Sequence, residues 1–190
     1  MRYSLLLVAL LWIGCAAPKP NYLSGNGLIY QNDSTGIRLA LPKMPGWQTT
    51  LREKDSPLPE SVVFGGVHGG KLINVLLSVE AMNSDLVDYM LIIREANTFM
   101  TRPGYEDLGE SDTTLQGQPA HLFRYQADVE VYGDSTEYHT YIYTNVLLKH
   151  EEYNIWLEIS VRREAYDRRL LMIQEVLQGM TLFPPLRPKS

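Results

Sequence analysis

Residues 65–72 read GGVHGGKL and come close to the glycine-rich loop that holds phosphates in nucleotide hydrolases. Such a loop precedes a helix whose N-terminus faces the phosphates, and its lysine is followed by Ser or Thr, which holds magnesium. Here Leu72 replaces the hydroxyl residue, and the β-branched run after it predicts a strand. We therefore interpret GGVHGGK as a connection between two antiparallel strands, in which glycine permits positive φ, and we predict no nucleotide binding.

The histidines are the next candidates for chemistry: His68, His121, His139 and His150. No two of them have the i+2, i+3 or i+4 spacing of a local metal motif. His121 and His139 fall on predicted neighbouring strands, where a structural pair across the strands is the simpler interpretation. No serine lies in a G-x-S-x-G or S-x-x-K motif. We predict no metal, no cofactor and no catalytic residue.

Cys15 is the only cysteine in the chain, and it follows a nine-residue apolar run at 5–13 and the small residue Gly14. That run is too short to span a bilayer and is typical of a secretory signal. The segment resembles a bacterial lipoprotein signal. The resemblance implies that residues 1–14 are removed by cleavage after Gly14, and that Cys15 then carries lipid, including palmitate or a similar acyl chain. The alternatives are a plain signal peptide or an uncleaved anchor.

Length and composition are those of one globular domain preceded by an N-terminal targeting signal. The chain has 190 residues, 45% of them hydrophobic, and a formal net charge of −5 with a pI near 5.4. It has no basic stripe, so we predict no nucleic-acid partner. Residues 15–27 are predicted to be the lipidated cysteine and a flexible tether, residues 28–183 a single domain, and residues 184–190 a loose tail.

The domain alternates between strand and helix patterns. A first hairpin turns at residues 33–36, later strands turn at 116–117, at 133–134 and near Glu151, and short turns favour antiparallel neighbours. A helix is predicted over 84–101, with Ser84 as its N-cap. A last helix is predicted to end at Gly179; its apolar side comprises Tyr166, Leu170, Ile173 and Leu177. These elements predict an α+β fold with a central antiparallel sheet flanked by helices.

Aromatic residues are numerous, with twelve tyrosines and three tryptophans. Tyr141 and Tyr143 are two residues apart on one predicted strand and therefore share a side of it, and Trp156 lies on the next predicted strand. Together they form a candidate partner-binding patch, because Tyr and Trp are common at interfaces. The alternative, which we favour, is that a helix covers these rings and makes them part of the core.

Three segments, taken in order, resemble the PsbP-like, Mog-type and DcrB-like domains. They are GIRLALPKMPGW at 36–47, LQGQPAHLFRY at 115–125, and WLEISV followed by a helix ending in VLQGMTLF. The resemblance implies an α/β/α sandwich around an antiparallel sheet. It also implies a non-enzymatic role in assembly or in binding a protein partner. It assigns no ligand or metal site to particular residues of this chain.

The sequence therefore predicts a lipid-anchored protein of the cell envelope that binds or assembles another envelope protein. In a Gram-negative cell, Ala16 after the cysteine favours the periplasmic face of the outer membrane. A second hypothesis is a carrier of a small hydrophobic ligand or ion, held between the sheet and the helix around Ile93. An enzyme of unrecognised class has the least support.

Overall fold

The computed structural model describes residues 22–43, 48–51, 60–68, 71–82, 84–96, 99–131 and 134–186. The strands are β1 (Tyr22–Ser24), β2 (Ile29–Asn32), β3 (Ile37–Ala40), β4 (Gln48–Leu51), β5 (Glu60–His68), β6 (Lys71–Ala81), β7 (Glu106–Leu115), β8 (Gln118–Val131), β9 (Asp134–His150), β10 (Tyr153–Arg162) and β11 (Met180–Leu182). The helices are α1 (Leu86–Ala96) and α2 (Tyr166–Gln178).

Seven strands form one large antiparallel sheet in the order β4-β5-β6-β10-β9-β8-β7. Most neighbours are joined by hairpins, but β10 lies between β6 and β9 and closes the centre of the sheet. Helix α1 connects β6 to the far edge strand β7. The remaining four strands form a small antiparallel sheet in the order β1-β2-β3-β11. The predicted hairpins at 33–36, 116–117 and near Glu151 are confirmed.

Side chains alternate between the two faces of the large sheet, and each face has its own core. On β10, Ile155, Leu157 and Ile159 pack against the small sheet and α2. Trp156, between them in sequence, points to the opposite face and packs with residues of α1. The predicted central antiparallel sheet is confirmed. The α/β/α sandwich fits only in part, because one outer layer combines a helix with a second sheet.

The folded part extends beyond the limits predicted from sequence. Tyr22–Ser24, assigned to the flexible tether, pair with β2 as strand β1. In the predicted loose tail, the amide of Leu186 donates to the carbonyl of Asp33 at 2.8 Å. Backbone hydrogen bonds to the β2–β3 hairpin therefore hold both segments, although their composition is typical of loops.

The glycine-rich segment forms two long strands rather than a broad loop. Strand β5 includes Gly65 and Gly66 and continues to His68, which is opposite Lys71 of β6. The predicted antiparallel pair is confirmed. The connection is shorter than expected, because only residues 69 and 70 lie between the two strands. A strand, not a helix, follows Lys71.

Both helices differ from their predictions at the ends or on the buried side. Helix α1 ends at Ala96 rather than 101, and Asp85 caps it, since Asp85 Oδ1 accepts from the Asp88 amide at 2.8 Å. Helix α2 buries Met172, Ile173 and Val176. Leu170 was predicted on the buried side but is 43% exposed. Gly179 is the C-cap as predicted.

Candidate functional site

The structure brings the three predicted aromatic residues together, but it buries them. Tyr141, Tyr143 and Trp156 are 5%, 6% and 8% exposed, and they belong to one cluster with Tyr89 and Ile93 of α1. The prediction that they form an exposed partner-binding patch is therefore wrong. The alternative of a helix over a buried aromatic face describes the structure, because the apolar side of α1 covers these rings.

Polar groups lie among these rings. Trp156 Nε1 donates to Asn145 Oδ1 at 2.8 Å, and the Tyr125 hydroxyl donates to Glu158 Oε2 at 3.4 Å. Burial raises the pKa of Glu158 to about 7, while the positive charge of Arg102 and the Tyr125 hydrogen bond act in the opposite direction. Burial, with the nearby Glu158 carboxyl group, raises the pKa of Tyr125 as well.

The N-terminal half of α1 is fixed to the sheet by polar contacts. The Tyr89 hydroxyl donates to Glu80 Oε1 of β6 at 3.3 Å, and burial raises the pKa of both groups. Just before the helix, Ser84 Oγ accepts from Asn154 Nδ2 at 2.6 Å, and its carbonyl accepts from Lys149 Nζ at 3.1 Å. This end of α1 is therefore held against the central strands.

The chain that leaves α1 is also held against the sheet. The Asp128 amide donates to the carbonyl of Pro103 at 2.8 Å. Gly104 has a φ of +66° and lies so close to Asp128 that a Cβ there would collide with the carboxylate. The Arg102 guanidinium lies 5.6 Å from the centre of the Tyr143 ring. Polar or cation–π contacts thus fix the chain immediately before and after α1.

The outer face of α1, which we define as Val87, Leu91 and Ile92, is apolar and open to solvent. These side chains are 62%, 49% and 40% exposed. Eight of the eleven residues of α1 are apolar, which is more than one buried stripe requires. Large apolar side chains grouped on a rigid exposed helix are a common mark of an interaction surface.

A groove lies beside this outer face, between α1 and strands β7 and β8. Its volume is about 210 Å³, and it is lined by Leu86, Val87, Met90, Asp112 and His121. We refer to it as the α1 groove. Its size is below the range of roughly 300–1,000 Å³ that is usual for pockets of drug-sized ligands. It can hold one long side chain.

One wall of the α1 groove is polar. His121 Nδ1 lies 2.9 Å from Asp112 Oδ1, and His121 Nε2 lies 3.6 Å from Glu110 Oε2 without a hydrogen bond. Glu110 pairs with Arg94 of α1, and the Arg94 guanidinium lies 5.2 Å from the centre of the Phe123 ring. The Asp112 side chain is 94% exposed and keeps its carboxylate available at the mouth of the groove.

His139 and His150 do not form a site with His121. His121 is opposite Leu147 of β9, whereas His139 is opposite Val129 of β8, so the two lie far apart along the strands. His150 Nε2 contacts the Phe183 carbonyl at 2.9 Å. The described part of the chain contains no group of three His, Cys, Asp or Glu side chains that could hold a metal.

Two of the predicted site residues, Gly14 and Cys15, lie outside the described residues. Neither described helix is long and apolar enough to cross a membrane. Sequence reasoning missed the outer face of α1. The available signal was the run MLII at 90–93, because four consecutive apolar residues cannot all lie on one side of a helix.

Comparison with solved structures identifies the fold. The cyanobacterial PsbP protein (CyanoP) of Synechocystis sp. PCC 6803 superposes with a TM-score of 0.56 at 15% identity, covering 82% of this chain and 91% of that one. The chain has the PsbP-like fold. This confirms the resemblance of the domain to PsbP-like domains.

Other solved structures resemble this PsbP-like chain at similar identity. A Pseudomonas aeruginosa protein of unknown function, PA94, superposes with a TM-score of 0.50 at 16% identity, covering 75% of this chain and 99% of that one. The Ran-binding protein Mog1p of Saccharomyces cerevisiae gives 0.49 at 14% identity, with 77% and 90% covered. No protein-family model and no curated protein matches the sequence. At these identities the likeness concerns the fold alone.

Proposed function

We propose that this protein is a non-enzymatic module of the cell envelope that binds another envelope protein through the outer face of α1 and the α1 groove. The observation that carries the proposal is the exposure of Val87, Leu91 and Ile92 on a helix whose other side is buried and fixed. Burying such side chains against a partner contributes about 25 cal/mol per Å² of apolar surface. A preorganised helix also loses little entropy on binding.

The placement of the titratable groups supports binding rather than catalysis. An active site usually brings side chains of perturbed pKa to a cavity. Here Glu80 and Glu158, whose pKa values are raised, contact tyrosine hydroxyls among the packed rings. The α1 groove is lined by other residues. The groove thus offers shape and charge to a partner but does not contain the carboxyls of raised pKa.

We further propose that lipid on Cys15 anchors the module to the membrane, after cleavage behind Gly14. The support is the short apolar run before a lone cysteine. In a cell with two membranes, Ala16 after the cysteine favours the periplasmic face of the outer membrane.

The α1 groove also favours a second candidate, a carrier of a small hydrophobic ligand or ion. It lies between the sheet and α1, and three of its five lining residues are apolar. It is located at Leu86 and Met90 rather than around Ile93, which is buried in the core. Its volume of about 210 Å³ would admit only a very small ligand. Native mass spectrometry of the purified protein tests this candidate, since a retained ligand would appear as a fixed mass increment.

Site-specific photocrosslinking in intact cells tests the binding proposal. A photoreactive amino acid replaces Val87 in one strain and Leu171 in another. Leu171 lies on α2 and is 75% exposed, against 62% for Val87, so it is a matched control. The captured protein is identified by mass spectrometry, and its binding to wild type and to Leu91→Ser is then measured with both proteins purified.

We expect one envelope protein to crosslink from position 87 but not from 171, and to bind Leu91→Ser at least about tenfold more weakly, a loss of 1.4 kcal/mol. Cys15→Ser should reduce the crosslink and abolish incorporation of labelled palmitate. Equal capture from both positions, or none from position 87, would overturn the docking proposal. Labelled palmitate that persists in Cys15→Ser would overturn the anchor alone.

A further inference from the structure

The negative charge of this protein is concentrated beside the proposed docking surface. Residues 84–112, which run from the start of α1 through most of β7, contain seven acidic residues and two arginines, a formal charge of −5. The whole chain also has a formal charge of −5, so the rest of the sequence is neutral overall. The acidic residues are Asp85, Asp88, Glu95, Glu106, Asp107, Glu110 and Asp112, and all are exposed.

The two arginines of this segment are already engaged with the protein. Arg94 pairs with Glu110 and lies over the Phe123 ring. Arg102 lies over the Tyr143 ring, where its charge also acts on Glu158. Lys149 of β9 adds one positive charge at the Ser84 carbonyl. The acidic residues of segment 84–112 still outnumber the three cations Arg94, Arg102 and Lys149, and this excess favours the approach of a positively charged partner.

The α1 groove adds a more specific requirement. Leu86, Val87 and Met90 provide apolar walls, and Asp112 provides a carboxylate at the mouth. A lysine or arginine side chain matches both parts, because its aliphatic stem packs on apolar surface while its charged end stays with acceptors and water. A glutamate of the partner would be repelled by Asp112 and Glu110, and a leucine would make no use of the exposed Asp112 carboxylate.

The spacing of Val87 and Leu91 indicates the shape of the partner. Residues at i and i+4 form one ridge on a helix, against which a second helix packs. Recognition of an amphipathic helix by an apolar surface with charged edges is a recurrent mode of protein binding.

Resting on the proposed function, we propose that the partner presents a basic amphipathic helix. Its apolar side packs on Val87 and Leu91, and one lysine or arginine side chain enters the α1 groove. The cation of that side chain lies at the carboxylates of Asp112 and Glu110. Arginine would form bidentate hydrogen bonds there, whereas lysine would act as a point charge.

The test uses two synthetic 14-residue peptides, each designed as an amphipathic helix with leucines on one side. One carries lysines on its polar side and the other carries glutamates. The protein is the chain from residue 15 onward with Cys15→Ser, which contains every residue that the structure describes. Binding is measured by fluorescence anisotropy, and the contact surface is mapped by amide chemical-shift changes.

We expect the Leu/Lys peptide to bind at least about tenfold more tightly than the Leu/Glu peptide at 0.15 M salt, and to lose affinity as salt increases. Its shift changes should centre on α1 and on β7 and β8 near Asp112 and His121. Asp112→Lys should weaken binding several-fold. Glu175→Lys, the same charge change on the exposed side of α2, should change the affinity less than about twofold.

Equal binding of both peptides on α1 would overturn the basic-partner inference and leave the docking proposal standing. Shift changes located on α2, no binding by the Leu/Lys peptide, or equal effects of Asp112→Lys and Glu175→Lys would also overturn the inference. The docking proposal fails separately, when position 87 captures no protein in cells. Selective binding of the Leu/Lys peptide would then still identify the chemistry that the groove recognises.

Discussion

Helices α1 and α2 pack on opposite faces of the large sheet, and they differ most on the sides that face away from it. Helix α2 exposes Asp167, Arg168 and Glu175, and its two exposed leucines at 170 and 171 directly follow a pair of arginines. Helix α1 exposes Val87, Leu91 and Ile92. A helix that only closes a core has a polar outer side. The contrast supports our proposal that α1 binds a partner.

The helices also differ in how they are held. Helix α1 has a side-chain cap at Asp85, and polar or cation–π contacts fix the chain before and after it. Helix α2 begins at Tyr166, its N-cap Ala165 provides no side-chain hydrogen bond, and its buried side packs into the larger core. Its C-terminal Gly179 lies so close to the Ala40 carbonyl that a Cβ would collide with it. Helix α1 thus relies more on specific polar contacts.

The largest expected effect tests whether the buried sides of the two helices are alike. Ile93→Ala on α1 and Ile173→Ala on α2 remove side chains that are 3% and 5% exposed. We expect each to lower the free energy of unfolding by about 2–5 kcal/mol, measured by urea denaturation, because each leaves a cavity. A loss below about 1 kcal/mol for Ile93→Ala alone would mean that α1 is not packed on the sheet as described.

The next effect is a pH dependence of the free energy of unfolding. We expect it from the core under α1, which contains Glu158, and not from the core under α2. The pKa of Glu158 is raised from 4.5 to about 7 in the folded protein. The stability that this shift contributes is complete below about pH 4.5 and is lost as the pH rises through 7. Wild type should lose on the order of 1–3 kcal/mol over this range on account of Glu158.

The variant Glu158→Gln should lack that loss, with urea midpoints at pH 5 and pH 8 as the measurement. The charged or titratable groups that act on Glu158 are Arg102, Tyr125 and Tyr143, and all three remain in the variant. Glu80→Gln serves as a comparison, because burial raises the pKa of Glu80 in the same direction. An unchanged pH dependence in Glu158→Gln would contradict the expectation.

A smaller effect tests the difference in capping. Asp85→Ala removes the side-chain acceptor for the Asp88 amide and should destabilise the protein by about 0.5–2 kcal/mol. Asp85→Asn, which keeps an acceptor at the same place, should retain most of the stability. Thermal melting with circular dichroism measures both variants. Equal loss in both would show that charge, not the hydrogen bond, stabilises this end of α1.

The smallest effect on stability is expected from substitutions on the solvent-exposed sides of α1 and α2. Leu91→Ser on α1 and Leu171→Ser on α2 change exposed leucines and should each shift the free energy of unfolding by less than about 0.5 kcal/mol. Only Leu91→Ser should reduce partner binding. A large stability loss in Leu91→Ser would mean that this side of α1 is structural, and the contrast between the helices would lose its functional meaning.

Most of the sheet could be predicted from the sequence, because strands and tight turns are indicated by patterns within a few consecutive residues. Alternation along residues 153–161 predicts a strand between two environments, and Gln116-Gly117 predicts a tight turn. Both are present in the structure. Strand β1 is not predicted because the four residues between Pro20 and Gly25 have no pattern of their own, and pairing with β2 gives Tyr22–Ser24 their structure.

The candidate site was less accessible to sequence reasoning. The sequence predicts that Tyr141, Tyr143 and Trp156 come together from neighbouring strands. Whether they are exposed depends on where α1 packs against the sheet, which no local pattern shows. The proximity of Asp112 and His121 to α1 depends on β7 returning to the far edge of the sheet. The surplus of apolar residues on α1 is visible in the sequence, but the helical period does not show that Leu91 and Ile92 remain exposed.

The position of strand β1 limits the distance between the folded domain and Cys15. Tyr22 is already part of the small sheet, so only six residues separate it from Cys15. A fully extended chain spans at most about 3.6 Å per residue, so Cys15 and Tyr22 can be at most about 25 Å apart. With Cys15 held by lipid, as we propose, the domain stays within roughly its own diameter of the bilayer. Under the same proposal, the partner would meet the domain near the membrane that holds the lipid.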